Sequence, residues 1–265
     1  MPSHLGLRLI FGITLIRCSI LATLFHSDPG VNFSFGIRNN LVNSSNPIPT
    51  GYHRIGDMIL PSSYFQKNGT IKSGVADPNL LWPGALIPYR IDDSLASHFQ
   101  TIQSAMDQYH AYTCIKFIPA EAYHTDYILL IPRSGCYSMV GRQGYGMQEV
   151  SLGRGCTDVG TIVHELGHSV GLFHEHSRSD REFSIKIHMT NVDPNMISEF
   201  QIIYGTRLLN HYDINSIMHY GSTAFSKDGK SVTMEALNGA DLRDPFQKLG
   251  LDSSDIWRIN TLYQC

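Results

Sequence analysis

The chain has 265 residues, of which 42% are hydrophobic and 16% charged, with a formal net charge of −3. That length suits one large or two small domains, and the composition suits a globular protein with a sizeable core rather than a disordered one. With no basic run and no stripe of interleaved basic and aromatic residues, a nucleic-acid footprint is excluded.

In chain order, residues 5 to 25 are mostly apolar, with Arg8 near the start and Arg17 interrupting the run. This reads as a secretory signal, cleaved at a point beyond Ala22 and ending near residue 27, with no single site standing out. An arginine near the middle of a membrane span costs about 2.5–3.5 kcal/mol, which argues against a transmembrane helix. Cys18 leaves with the signal; Cys114, Cys136, Cys156 and Cys265 remain, an even set suited to an oxidising compartment, with three pairings open. Glycosylation sequons begin at Asn32, Asn43 and Asn68, all before residue 73. Residues 28 to 50 are rich in Asn, Ser, Pro and Gly and read as loop. Ile55-Gly56-Asp57-Met58 reads, on its own, as an ordinary turn.

Regular structure becomes legible from Trp82. Ala85 to Ile91 suggests a strand. Ser94 is placed to cap a helix from about Leu95 to Tyr112, with Phe99, Ile102, Met106 and Tyr109 on its apolar face. Ile115 to Ile118 and Tyr127 to Ile131 are strand-like, and Tyr137 to Val140 and Gln148 to Leu152 flank a glycine-rich turn as a further pair. Asp158 to Val170 forms a helix, Asn195 to Tyr204 a short one, and Ser253 to Tyr263 a C-terminal one. The expected class is α+β, with a sheet-bearing N-lobe, an irregular C-lobe and a cleft between them.

The helix at 158 to 170 carries the chemistry. His164 and His168 are four residues apart, so both imidazoles lie on one helix face and reach one ion. Glu165 lies beside that face. Gly171 permits the left-handed turn that ends the helix and lets His174 return to the same ion. Three neutral imidazoles, with no thiolate and one position left for water, point to a single catalytic Zn2+. Gly167 sits inside the helix, where it costs roughly 1 kcal/mol relative to alanine, with no reason visible in the sequence.

The pattern H-E-x-x-H-x-x-G-x-x-H, continued by Glu175, Arg178, Asp180 and Arg181 and followed by the Met-turn-like Ser216-Ile217-Met218-His219-Tyr220, resembles the astacin family of metzincin zinc endopeptidases. The resemblance runs from Trp82 to Cys265; one departure is Glu182, where the family usually has Asp. It implies a two-lobed metzincin fold, with Glu165 as general base, Tyr220 as a fifth zinc ligand that also assists the oxyanion, and Met218 as an apolar floor under the histidines. It also implies disulfides Cys114–Cys265 and Cys136–Cys156, each contributing about 3–5 kcal/mol by loop entropy.

By the same resemblance, residues 28 to 72 are a propeptide in which Asp57 occupies the water position on the metal. The catalytic domain at 73 to 265 is then released by trypsin-like cleavage between Lys72 and Ser73. The new α-amine would approach Glu175, a buried carboxylate that calls for a positive partner. On the family's register Pro245 stands where several members carry a basic residue in the S1′ wall, with Arg243 and Lys248 nearby. The expected protein is a secreted, monomeric, single-domain enzyme. It acts on proteins or peptides and has an activating protease as partner, no nucleic acid and no membrane span in its mature form. The alternative is a catalytically silent secreted binding protein or toxin on the same fold, which would be expected to have lost a ligand or Glu165.

Overall fold

The computed structural model describes residues 48–64, 78–204 and 208–265. The signal, the sequons, Cys18, Lys72 and Ser73 lie outside them. Strand β1 (Tyr52–Ile55) and strand β2 (Met58–Pro61) form a hairpin closed by Gly56 and Asp57, with Ile55 opposite Met58. Gly56 has φ of 61°, the positive value that a two-residue hairpin loop demands. Strand β3 (Leu86–Ile91) precedes helix α1 (Phe99–Tyr112), followed by strands β4 (Lys116–Pro119), β5 (Tyr127–Ile131), β6 (Cys136–Met139) and β7 (Met147–Leu152) and by helix α2 (Val159–Val170). One seven-stranded sheet results, in the order β1-β2-β6-β7-β5-β3-β4. Only β1–β2 and β6–β7 are antiparallel; β2 runs parallel to β6, with Met58 beside Ser138 and Ile59 beside Met139.

Ile87, Ile128, Leu130 and Val150 from the sheet pack against Ile102, Met106 and Tyr109 of α1 and Ile162, Val163 and Leu166 of α2. Each fully buried aliphatic side chain contributes about 1.5–3 kcal/mol. The expected helix from Leu95 divides in two: a 3-10 helix, Asp93–His98, leads into α1. Its cap is Asp92 rather than Ser94: the Asp92 carboxylate accepts the Ser94 N–H at 3.0 Å, and the Ser94 hydroxyl donates to it as well. Aspartate, an acceptor on both oxygens, outcompetes the serine that follows it. Phe99 is displaced from the apolar face and is 44% exposed.

The C-lobe is mostly 3-10 turns, with a two-stranded sheet of β8 (Ile185–Ile187) and β9 (Met234–Ala236) over a cluster including Met196, Phe200 and Phe225. The short helix expected to Tyr204 is a 3-10 helix that stops at Phe200. Arg181 Nη1 takes the Phe200 carbonyl at 2.5 Å and the Ile203 N–H donates to Ser177 O at 2.7 Å, so tertiary partners replace further helical ones. Helix α3 (Ser253–Tyr263) is closed at its start by Asp252 and Asp255. Its Ile259 joins the main core and its Tyr263 hydroxyl donates to Val170 O at 2.7 Å. Disulfides join Cys114 to Cys265 and Cys136 to Cys156. Among the described residues no helix is long and apolar enough to cross a membrane.

Candidate metal centre

Helix α2 is buried on nearly every face, so both of its ends need internal partners. Asp158 accepts the Thr161 N–H at 2.8 Å at the start. At the end Gly171, with φ of 117°, donates its N–H to Gly167 O and His168 O. The turn places Leu172 O 2.8 Å from His168 Nδ1, while Ile217 O lies 2.8 Å from His164 Nδ1. Carbonyl partners put the proton on each Nδ1 and leave both Nε2 atoms as lone-pair donors. Burial lowers the His168 pKa and takes that of His174 down to about 4, keeping both imidazoles in the neutral, ligating form.

Four groups converge: His164, His168, His174 and Asp57, their donor atoms all within 4.8 Å of one another. The two α2 Nε2 atoms are 3.2 Å apart. Asp57 Oδ2 lies 3.2 Å from His164 Nε2, and Oδ1 lies 3.1 Å from His168 Nε2 and 2.7 Å from His174 Nε2. His174 Nε2 is nonetheless off-line for a hydrogen bond to any neighbour. Lone pairs facing one another at such distances repel unless a cation lies between them. Ligands at 2.0–2.2 Å from a tetrahedral zinc stand about 3.3 Å apart, so this donor set fits that ion. Burial opposes ionisation of Asp57, and positive charge among the three histidines, which a proton or a bound cation supplies, outweighs it and holds its carboxyl well below the usual range. The Tyr220 hydroxyl donates to Asp57 Oδ2 at 2.5 Å.

The family model described as Astacin, a peptidase family, matches residues 74–264. The chain belongs to the astacin family. Its three buried histidines, together with Asp57, form a donor set that could hold a single metal ion. It is 41% identical over 202 residues to zinc metalloproteinase nas-13 of Caenorhabditis elegans, covering 74% of this chain and 44% of that protein. To the astacin-like metalloprotease toxin 1 of Loxosceles intermedia it is 39% identical over 231 residues, covering 85% and 86%. Among solved structures, the hatching enzyme zinc-protease HCE-1 of Oryzias latipes superposes with a TM-score of 0.64 at 35% identity, covering 77% of this chain and 96% of that one.

Beneath the triad, the astacin Met-turn is held from two sides. Asp255 accepts the Ser216 hydroxyl at 2.6 Å and the Ile217 N–H at 2.8 Å, and Lys248 Nζ donates to Ser216 O and His219 O. Both bonds commit Lys248 to the turn, and burial lowers its pKa to about 8. Met218 is fully buried, and its sulfur explains Gly167: a Cβ there would lie 2.7 Å from Met218 Sδ and 3.3 Å from the Tyr109 hydroxyl. Gly167→Ala should therefore lower stability by about 1–3 kcal/mol, although alanine favours a helix by about 1 kcal/mol. The check is thermal unfolding of the zinc-loaded protein; a raised Tm would show that Met218 moves aside freely.

The residues after His174 form an ionic knot. Glu175 accepts from Arg258 at 2.5 Å, from Arg178 at 3.2 Å and from the Asp213 N–H at 2.8 Å. Arg178 also grips Asp180 through two hydrogen bonds of 2.9 and 2.8 Å. Burial still raises the Glu175 pKa against both arginines. The premise that Glu175 calls for a new α-amine to balance its charge is corrected: Arg258, 83 residues away on α3, already supplies the partner. Glu182 is exposed and its carboxylate accepts from the buried Arg181 at 2.9 Å.

Glu165 is buried with neither carboxylate oxygen hydrogen-bonded, and burial followed by the Asp57 charge raises its pKa well above the usual range. His176 and His219 stay out of the metal cluster: His176 Nε2 faces Glu199 O, and His219 lies between Tyr220 O and the Tyr212 hydroxyl. Sequence reasoning passed over Glu199, which carries no motif. A Cβ on Gly56 would lie 2.9 Å from Glu199 Oε2, 3.3 Å from His174 Cε1 and 3.4 Å from the Tyr220 hydroxyl. Burial, then Asp57, raises the Glu199 pKa to about 7. In the segment expected to form the S1′ wall, Pro245 is buried against Gly160 at the start of α2, Asp244 accepts the Gly221 N–H at 2.7 Å, and Arg243 is exposed.

Proposed function

We propose that this chain is a secreted zinc endopeptidase made in latent form, with Asp57 as its internal inhibitor. The observation that carries the reading is the Asp57 carboxylate seated among the three histidines and bonded to Tyr220. A carboxylate in that place excludes the water that hydrolysis needs. His164, His168 and His174 would hold the zinc, which when bound acidifies a water and polarises the scissile carbonyl.

The chain's own residues then perform the proton work. Glu165, with both oxygens free of protein partners, takes the proton of the attacking water and delivers it to the departing amine. Tyr220, once released from Asp57, would turn its hydroxyl to the developing oxyanion and, in the resting enzyme, would help to hold the zinc. Strand β6, vacated by β2, offers its backbone to an extended substrate. All three histidines and Glu165 are retained, which favours an enzyme over a silent toxin or binding protein. The N-terminal apolar segment and the two disulfides support secretion.

Limited trypsin treatment should cut after Lys72, giving a chain that begins Ser-Gly-Val-Ala-Asp and cleaves internal bonds of an unfolded protein. A chelator should abolish this activity and added zinc restore it. Activity that survives complete zinc removal would refute the reading, and a start several residues away would refute the junction. With Pro245 uncharged and Asp244 close by, the active form should prefer small or uncharged P1′ residues over Asp and Glu. Enrichment of Asp at P1′ in a randomised peptide library would show instead that Arg243 turns into the pocket.

A further inference from the structure

Strand β6 lies inside the sheet only because β2 covers it; without residues 48–64 it is an edge with unused backbone groups. One face of this junction is a small apolar cluster of Ile59, Tyr137 and Met139, with Tyr52 packed against it. Two of those four side chains belong to the hairpin. Ile59, Tyr137 and Met139 are each at most 5% exposed while the hairpin is in place. Tyr145, in the turn between β6 and β7, meets the Tyr52 ring edge-on at 5.7 Å, and its hydroxyl lies 2.7 Å from Met139 Sδ. It is 49% exposed even so. The Tyr137 hydroxyl donates to Glu149 Oε2 at 3.0 Å, and Glu149 is paired with Arg133. The ring is thus anchored at its polar end, and its face is covered by the hairpin, with the Arg54 guanidinium 4.9 Å from its centroid.

We infer that Tyr137, Met139 and Tyr145 form a substrate subsite for a large apolar side chain two residues from the scissile bond. This rests on the latent-protease reading, in which the hairpin leaves the cleft. Two aromatic rings beside a pliable thioether make a shelf that accepts aliphatic or aromatic groups of varied shape. The hairpin itself shows what fits, since it sets an isoleucine and a tyrosine there. The position follows from strand geometry. Asp57, the last residue of the hairpin turn, is at the metal, and Ile59, two residues on in β2, lies beside Met139 of β6; at about 3.3 Å per residue the shelf is reached two residues along an extended chain. A substrate along β6 therefore presents its second residue from the reacting centre to the shelf, on one side of the bond.

The test uses the full chain after tryptic activation and a peptide library randomised at three positions on each side of the bond. Phe, Tyr, Leu, Ile and Met should be enriched at the second position on one side. For paired peptides differing only there, kcat/KM for Leu should exceed that for Ala by about tenfold or more. Tyr145→Ala should bring that ratio toward one, and Tyr145→Phe, which keeps the ring, should retain it. Cleavage without enrichment at either second position, or an undiminished ratio in Tyr145→Ala, overturns the subsite while leaving the protease reading intact. An activated, zinc-loaded chain that cuts no peptide overturns both.

Discussion

Replacing Glu165 with glutamine is expected to leave zinc bound and to lower kcat/KM of the activated enzyme by about 10²- to 10⁴-fold, the usual contribution of a positioned general base. The substitution is nearly isosteric, and Glu165 is not among the converging donors, so the histidine triad stays intact. The side chain is buried with both oxygens lacking protein partners, so the change breaks no hydrogen bond within the fold. Burial and the Asp57 charge already disfavour an ionised Glu165, and glutamine is neutral, so the latent form should be no less stable. The measurement pairs zinc stoichiometry with steady-state kinetics. Near wild-type turnover with one zinc bound would show that another group takes the proton.

Asp57→Ala is expected to act in the opposite direction, giving activity to a chain that has not been cut. The variant removes the carboxylate among the histidines together with its hydrogen bond from Tyr220. A hydrogen bond to a charged group contributes about 1.5–3 kcal/mol, which corresponds to roughly 10- to 150-fold in the ratio of closed to open cleft. The leak should stay partial, because the other face of the hairpin is held independently: Ile55, Met58 and Leu60 pack with Leu80, Val140, Ile203 and Leu262. Activity of the intact precursor, with its length verified by mass, is the readout. A variant as latent as the wild type would mean that the hairpin blocks the cleft by bulk alone.

Much of the site was legible because it is local. His164 and His168 are one helical turn apart, and Gly171 is the residue that permits the return of His174. Helix α3 was bounded by its own capping acid and its apolar spacing. The edges of the reading failed where partners come from afar. The helix expected to Tyr204 stops at Phe200 because Arg181 and Ser177 take over its backbone groups. Strands β1 and β2 were not recognised, since Met58 to Pro61 shows no alternation and the strand that joins the hairpin to the sheet, β6, lies about eighty residues away.

The sequence by itself determined the metal-binding helix, the glycine turn that follows it, the even set of cysteines and an α+β class, because each depends on neighbouring residues or on composition. Only the tertiary structure decided that a hairpin before residue 64 completes the sheet, and the place of Asp57 among histidines more than a hundred positions away was expected from family resemblance, not from the residues alone. The tertiary structure likewise decided that Arg258 balances Glu175, that Met218 requires Gly167, and that Asp255 and Lys248 hold the turn beneath the histidines. Such pairings depend on packing and charge balance in a buried interior. There an unmatched charge or an extra methyl group is costly, and sequence spacing carries no information about which distant residue supplies the match.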